Sequence, residues 1–138
     1  MASSLQPQND PVASKLAEAT ITGVSAAKKD PPTVETNITG ASSGYLFMVD
    51  IDNTSNPSED AYVCVYDSSG SPTIVVGTTV PDYVFLARGG TRKVYSVFEA
   101  SGQGIPFSGG LSVVAKTTGG AGGTEGLTND VVIRFLSS

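Results

Sequence analysis

Four carboxylates crowd one short stretch of this chain: Asp50, Asp52, Glu59 and Asp60, with Asn53, Thr54, Ser55 and Asn56 between them. Hard cations such as Ca²⁺ are held by oxygen ligands of this kind, supplied at fixed spacing by a loop. An EF-hand loop opening at Asp50 would need Gly at its sixth position and Glu at its twelfth, where Ser55 and Ala61 stand instead. A looser cage could draw on the same four carboxylates. The better expectation is an Asx-type turn, in which a side-chain oxygen accepts from nearby backbone N–H groups, with no metal held.

The second pattern with chemical content is Gly40-Ala41-Ser42-Ser43-Gly44, a G-x-S-x-G match. A nucleophile elbow needs a strand before it, a helix after it and a His base nearby. The chain has no His, and no helical pattern follows. Cys64 is the single cysteine, so it forms no internal disulfide, and its place between Val63 and Val65 predicts a buried inert thiol. No catalytic residue and no cofactor is expected, and the chain does not read as an enzyme.

Charge narrows the partners. The formal net charge of −5 leaves no basic surface of the sort that phosphate contacts require, so no nucleic acid is expected. Arg88, Arg92 and Lys93 are grouped around Gly89-Gly90, which reads as a solvated hairpin tip. No apolar run reaches membrane-spanning length, and Met1 to Lys15 lacks the basic-then-apolar order of a secretion leader. Synthesis in a cytoplasm and no membrane association follow as expectations.

Whatever these residues do, strands must position them. From Gly44 to Phe98 short runs rich in aromatic and β-branched residues (GYLFMVDID, AYVCVYD, TIVV, DYVFL, RKVYSVF) are separated by Asn, Ser, Pro and Gly. Period two puts Tyr45, Phe47, Val49 and Ile51 on one face, as it does Leu111, Val113 and Ala115, and Val131, Ile133 and Phe135. In Ala61–Asp67 both faces are apolar, which fits a central strand covered on both sides, or one with a side facing a partner. Thr20–Ala27 reads as a first strand, Thr33–Thr39 as a short edge strand after Pro31-Pro32, and Thr73–Val76 as another strand. Eight or nine strands make an all-β, two-sheet β-sandwich spanning residues 19–138, with an immunoglobulin-like sandwich as one alternative.

Residues 1–18 differ in composition. Ser3, Ser4, Gln6, Gln8, Asn9 and Asp10, with two prolines, are unsuited to packing alone, though Val12–Ala19 could form one or two helical turns. They read as an extended N-terminal arm whose sizeable apolar residues, Leu5, Val12 and Leu16, are the expected contacts with a neighbouring subunit.

A wider pattern spans Gly44 to Phe135. It comprises Tyr45-Leu46-Phe47, Val49-Asp50-Ile51-Asp52-Asn53, Asn56-Pro57-Ser58-Glu59-Asp60 and Val65-Tyr66-Asp67. Gly77-Thr78-Thr79-Val80-Pro81-Asp82 follows, then Gly110-Leu111-Ser112, Thr117-Thr118-Gly119-Gly120 and Gly123-Thr124. In this order the blocks resemble a group of small tailed-bacteriophage proteins, virion accessory or capsid-decoration (cement) proteins. The resemblance implies a jelly-roll-like sandwich, a homotrimer, and a place on the capsid exterior against the major capsid protein. A tail- or fibre-associated module binding carbohydrate or a receptor is the alternative, with Tyr45, Tyr83 and Tyr95 as candidate stacking residues.

Overall fold

The structure, a computed structural model, describes residues 15–21, 31–97 and 103–138. Among these lie eight strands and no helix: β1 (Lys15–Ile21), β2 (Gly44–Asp52), β3 (Ala61–Asp67), β4 (Tyr83–Ala87), β5 (Arg92–Ser96), β6 (Ile105–Phe107), β7 (Leu111–Lys116) and β8 (Val131–Ser137). All pairings are antiparallel. One sheet has the order β1-β8-β2-β5, with β6 beside β2 at the end that β5 leaves open. The other has the order β4-β3-β7, and Glu35 bridges the free side of β7 at Val113.

These neighbours are those of a hairpin rolled up on itself. β1 pairs with β8, the Glu35 segment with β7, β2 with β5 and β6, and β3 with β4. That is the jelly-roll arrangement of an eight-stranded sandwich, and it differs from the immunoglobulin order.

The interior is filled by Ala19, Ile21, Leu46, Val49, Ile51, Val63, Val65, Val113, Val131, Ile133 and Phe135, all buried in one apolar cluster. A second cluster lies on the outer side of β3 and β7, where Cys64, Tyr66 and Val114 are covered by Ile74 and Val76, with Val34 packed against them. β3 is therefore apolar on both faces because both are covered, as its sequence indicates. Lys116, fully buried at the end of β7, donates to the Gly120 carbonyl at 2.7 Å.

Several expectations change. β2 carries a bulge between Leu46 and Met48, and Phe47 is the additional residue. The alternation therefore slips: Leu46, not Tyr45 or Phe47, shares the core with Val49 and Ile51. Tyr45 and Phe47 stack on each other instead, with ring centroids 6.5 Å apart. Gly104 crosses this point so closely that a Cβ there would sit 2.0 Å from the Leu46 carbonyl oxygen.

The first strand begins at Lys15, ahead of the expected Thr20 and of the expected domain boundary at residue 19. Ala17, Ala19 and Ile21 point inward while Leu16, Glu18 and Thr20 face solvent, a period of two that overrides the helical turns expected up to Ala19. Thr73–Val76 forms no strand, and serves instead as cover over the second cluster. Thr33–Thr39 contributes a single bridge. Gly89-Gly90 is not a hairpin tip: β4 and β5 belong to different sheets, so this turn is a corner of the sandwich. Residues 22–27 and Phe98, expected in strands, lie outside the described residues.

Candidate interaction surface

The outer face of the β1-β8-β2-β5 sheet is built in cross-strand rows. Leu16 lies opposite Leu136, Leu136 opposite Met48, and Met48 opposite Ser96. The next row is Glu18, Arg134, Asp50 and Val94, and the third is Thr20, Val132, Asp52 and Arg92. Leu16 is 63% exposed and Val94 48% exposed, while Leu136 and Met48 are half-buried. An apolar row thus runs beside a row of alternating charge.

The charges are tied together. Arg92 grips Asp50 with two bonds, Nε to Oδ1 at 2.9 Å and Nη2 to Oδ2 at 2.5 Å. Arg134 Nε is 2.7 Å from Glu18 Oε2, and its Nη1 is 4.0 Å from Asp50 Oδ2. The hydrogen bond from Arg92 pulls the Asp50 carboxyl below its ordinary range against the opposing effect of burial, and the Arg92 and Arg134 charges add to the lowering. Asp52 is lowered too, first by the bonds from the Thr54 hydroxyl and backbone N–H. A charged row held this way presents a fixed pattern to a partner, and bidentate pairing gives it geometry as well as attraction.

The four carboxylates of the loop do not converge. Asp50 is engaged by Arg92, and Asp52 accepts from Thr54 N at 3.1 Å and Thr54 Oγ1 at 2.6 Å, the Asx turn expected from the sequence. Glu59 accepts from Thr128 N at 2.8 Å and Asp60 from Gly89 N at 2.9 Å. Among the described residues no three His, Cys, Asp or Glu side chains come together as a metal site.

The loop is organised by asparagines instead. Asn53, fully buried, donates through Nδ2 toward the carbonyls of Glu59, Ala87 and Arg88 at 2.8–3.3 Å. Asn56 exchanges two bonds with the Asn129 backbone, at 2.7 and 3.0 Å.

Of the residues expected to make contacts, Leu16 stands on the outer sheet face, while Leu5 and Val12 lie outside the described residues. Ser42 is exposed in a loop leading into β2, so the G-x-S-x-G match lacks both the preceding strand and the following helix of an elbow. Tyr95 is half-buried against Phe85 and donates to the Leu86 carbonyl, Tyr83 packs on the core, and Tyr45 is taken up by Phe47. None stands clear as a stacking platform.

Arg134, Leu136, Met48 and Val94 were not singled out as contact residues from the sequence, although alternation turns Met48 and Arg134 away from the core. Their outward positions are legible from period two, but which of them stand side by side depends on strand order and register, which no local pattern encodes. No protein-family model matches the chain, and neither the curated proteins nor the solved structures provide a match.

Proposed function

We propose that this protein is a structural protein of a tailed-bacteriophage virion, decorating and stabilising the capsid exterior as a homotrimer bound to the major capsid protein. The observation that carries the reading is the outer sheet face, where the apolar row Leu16–Leu136–Met48 borders the charged row Glu18–Arg134–Asp50. A sheet face with an apolar strip and fixed alternating charge suits adhesion to another protein: the strip supplies burial, the charges supply register. Its mechanism is cementing, in which contacts spanning neighbouring capsid subunits raise the free energy needed to separate them. Three linked copies on a local three-fold add avidity without new contacts. Such work needs neither catalysis nor a cofactor, and it places the protein on the virion after synthesis in the host cytoplasm.

The test is co-sedimentation of purified protein with phage capsids, followed by particle imaging. Many copies on the head, and a solution mass three times the 14.1 kDa chain, are expected. Leu16→Glu changes an exposed side chain and should abolish attachment while the fold persists. Absence of binding, or a few copies confined to the tail, overturns the reading.

A further inference from the structure

On the far side of the molecule, outside β3, the chain leaves a cleft of about 380 Å³ between the Asp67–Thr73 turn and the Thr79–Asp82 segment. Its walls carry Pro72, Ile74 and Val80, with the carboxylates of Asp67 and Asp82 among them. Val80 is 72% exposed. No Lys or Arg of the described residues lines the cleft, and neither carboxylate forms an ion pair among them. Asp67 accepts backbone N–H bonds from Ser108 and Gly109, and Asp82 accepts one from Asp67 N. Hydrogen bonding of this kind holds both carboxylates in place without cancelling their charge.

Tyr66 lines the cleft while only 2% exposed, and its buried hydroxyl has no hydrogen-bond partner among the described residues. Buried polar groups are rarely left so. A second hollow, of about 390 Å³, adjoins the first through Thr73 and Ile74 and continues the apolar lining over Pro31, Pro32, Val34 and Val75. The two make one apolar track with a negative end.

We infer that this track is a docking site for an extended aliphatic segment of a partner protein that places a Lys or Arg side chain between Asp67 and Asp82. Charge complementarity selects the occupant: an anionic group entering the cleft meets two carboxylates and no cation, whereas a basic head finds both acceptors oriented by backbone bonds. Ile74, Val75 and Val80 then receive the aliphatic neighbours. The inference rests on the adhesive reading above for the source of that segment, a protein of the same assembly. It assigns that partner a second point of contact, on the sheet opposite Leu16.

The experiment is a ¹⁵N-correlated NMR titration of the full chain with acetyl-Val-Arg-Val-amide, and separately with acetyl-Val-Glu-Val-amide. The Arg peptide should shift the amides of Ser68–Thr73 and Thr79–Asp82, weakening as salt is added, and the Glu peptide should leave them in place. Asp82→Asn keeps an oxygen for the Asp67 N–H and removes only the charge. It should weaken binding about tenfold, and Val80→Ser should weaken it with the fold intact. Equal shifts from both peptides, no shifts from either, or an unchanged affinity in Asp82→Asn overturns the cleft assignment. Capsids that still co-sediment in that case leave the adhesive function standing, so the two failures are distinguishable.

Discussion

Asn53 and Asn56, three residues apart and both buried, are joined by a hydrogen bond of 2.9 Å from the Asn56 Nδ2 to the Asn53 Oδ1. Through their remaining groups they fasten the loop after β2 to the β4–β5 corner and to Asn129 before β8. This end of the sandwich is thus closed by side-chain amides.

Asn53→Ala should lower stability by at least about 2 kcal/mol, because it leaves buried carbonyls without donors. Thr54→Ala, one residue on but exposed, should cost less than about 1 kcal/mol. Urea denaturation of the two variants separates these outcomes, and equal losses would mean the amide network is not what holds the loop.

The bulge in β2 makes an uneven pair of neighbours. Leu46→Ala should destabilise by about 2–5 kcal/mol, as should Ile133→Ala, both being fully buried in the main cluster. Tyr45→Ala, on a half-buried side chain outside that cluster, should cost less than about 1.5 kcal/mol. The reverse ranking in a chemical unfolding series would place the bulge elsewhere.

Acid should act through Asp50. Its folded value is depressed, chiefly by the Arg92 hydrogen bond, so the carboxylate contributes stability above its ordinary range, and that contribution is lost as pH falls through the folded value. The melting temperature should therefore decline between about pH 4 and pH 2. Asp50→Asn, compared over the same range by thermal melts, should flatten part of that decline.

Alkali should act through Tyr66, whose phenol is pushed up to about 12 by burial and by the nearby Cys64. The neutral phenol is the form the fold favours. Its contribution is complete below about pH 10 and disappears as pH rises toward the folded value. Ultraviolet titration of the five tyrosines should show a late-ionising one that Tyr66→Phe removes.

Truncation tests where the sandwich begins. A chain lacking residues 1–14 retains all of Lys15–Ile21 and should melt within about 3 °C of the full protein. Removing residues 1–18 takes Ala17 from the buried side and Glu18 from Arg134, and should lower the midpoint by about 5 °C or more. Attachment of each form to capsids would show separately whether residues 1–14 help tether the protein, as expected for Leu5 and Val12.

The core faces of β7 and β8, and the double-sided burial of β3, were legible because alternation of apolar residues depends only on the pleat. β2 was half legible: Val49 and Ile51 follow the pattern, but the extra residue at Phe47 sits where Gly104, remote in sequence, passes close to the strand. The strand at Lys15–Ile21 was obscured because its inward residues include two alanines, a weak signal beside Leu16 on the solvent side. Ile74 and Val76 alternate like a strand, yet they act as cover because alternation requires only one apolar side. The charged row was hidden for a further reason: Glu18, Asp50, Arg92 and Arg134 come from four strands that only the completed sheet aligns.

The pairing of β1 with β8 has a consequence for how the protein forms in time. Ile21 lies opposite Val131, and Leu16 opposite Leu136, so the strand made first waits for the strand made last. A ribosome delivers the chain at roughly 5–20 residues per second, far slower than local hairpins form. β3 and β4 can pair during synthesis, but the β1 edge cannot find its place until β8 has emerged. Closing so long a loop is entropically costly, and folds dominated by such contacts assemble slowly. The outer sheet face, whose rows need β1, β8 and β2 together, therefore comes into existence only in the final stage of folding, so the surface proposed to bind a partner is absent before then.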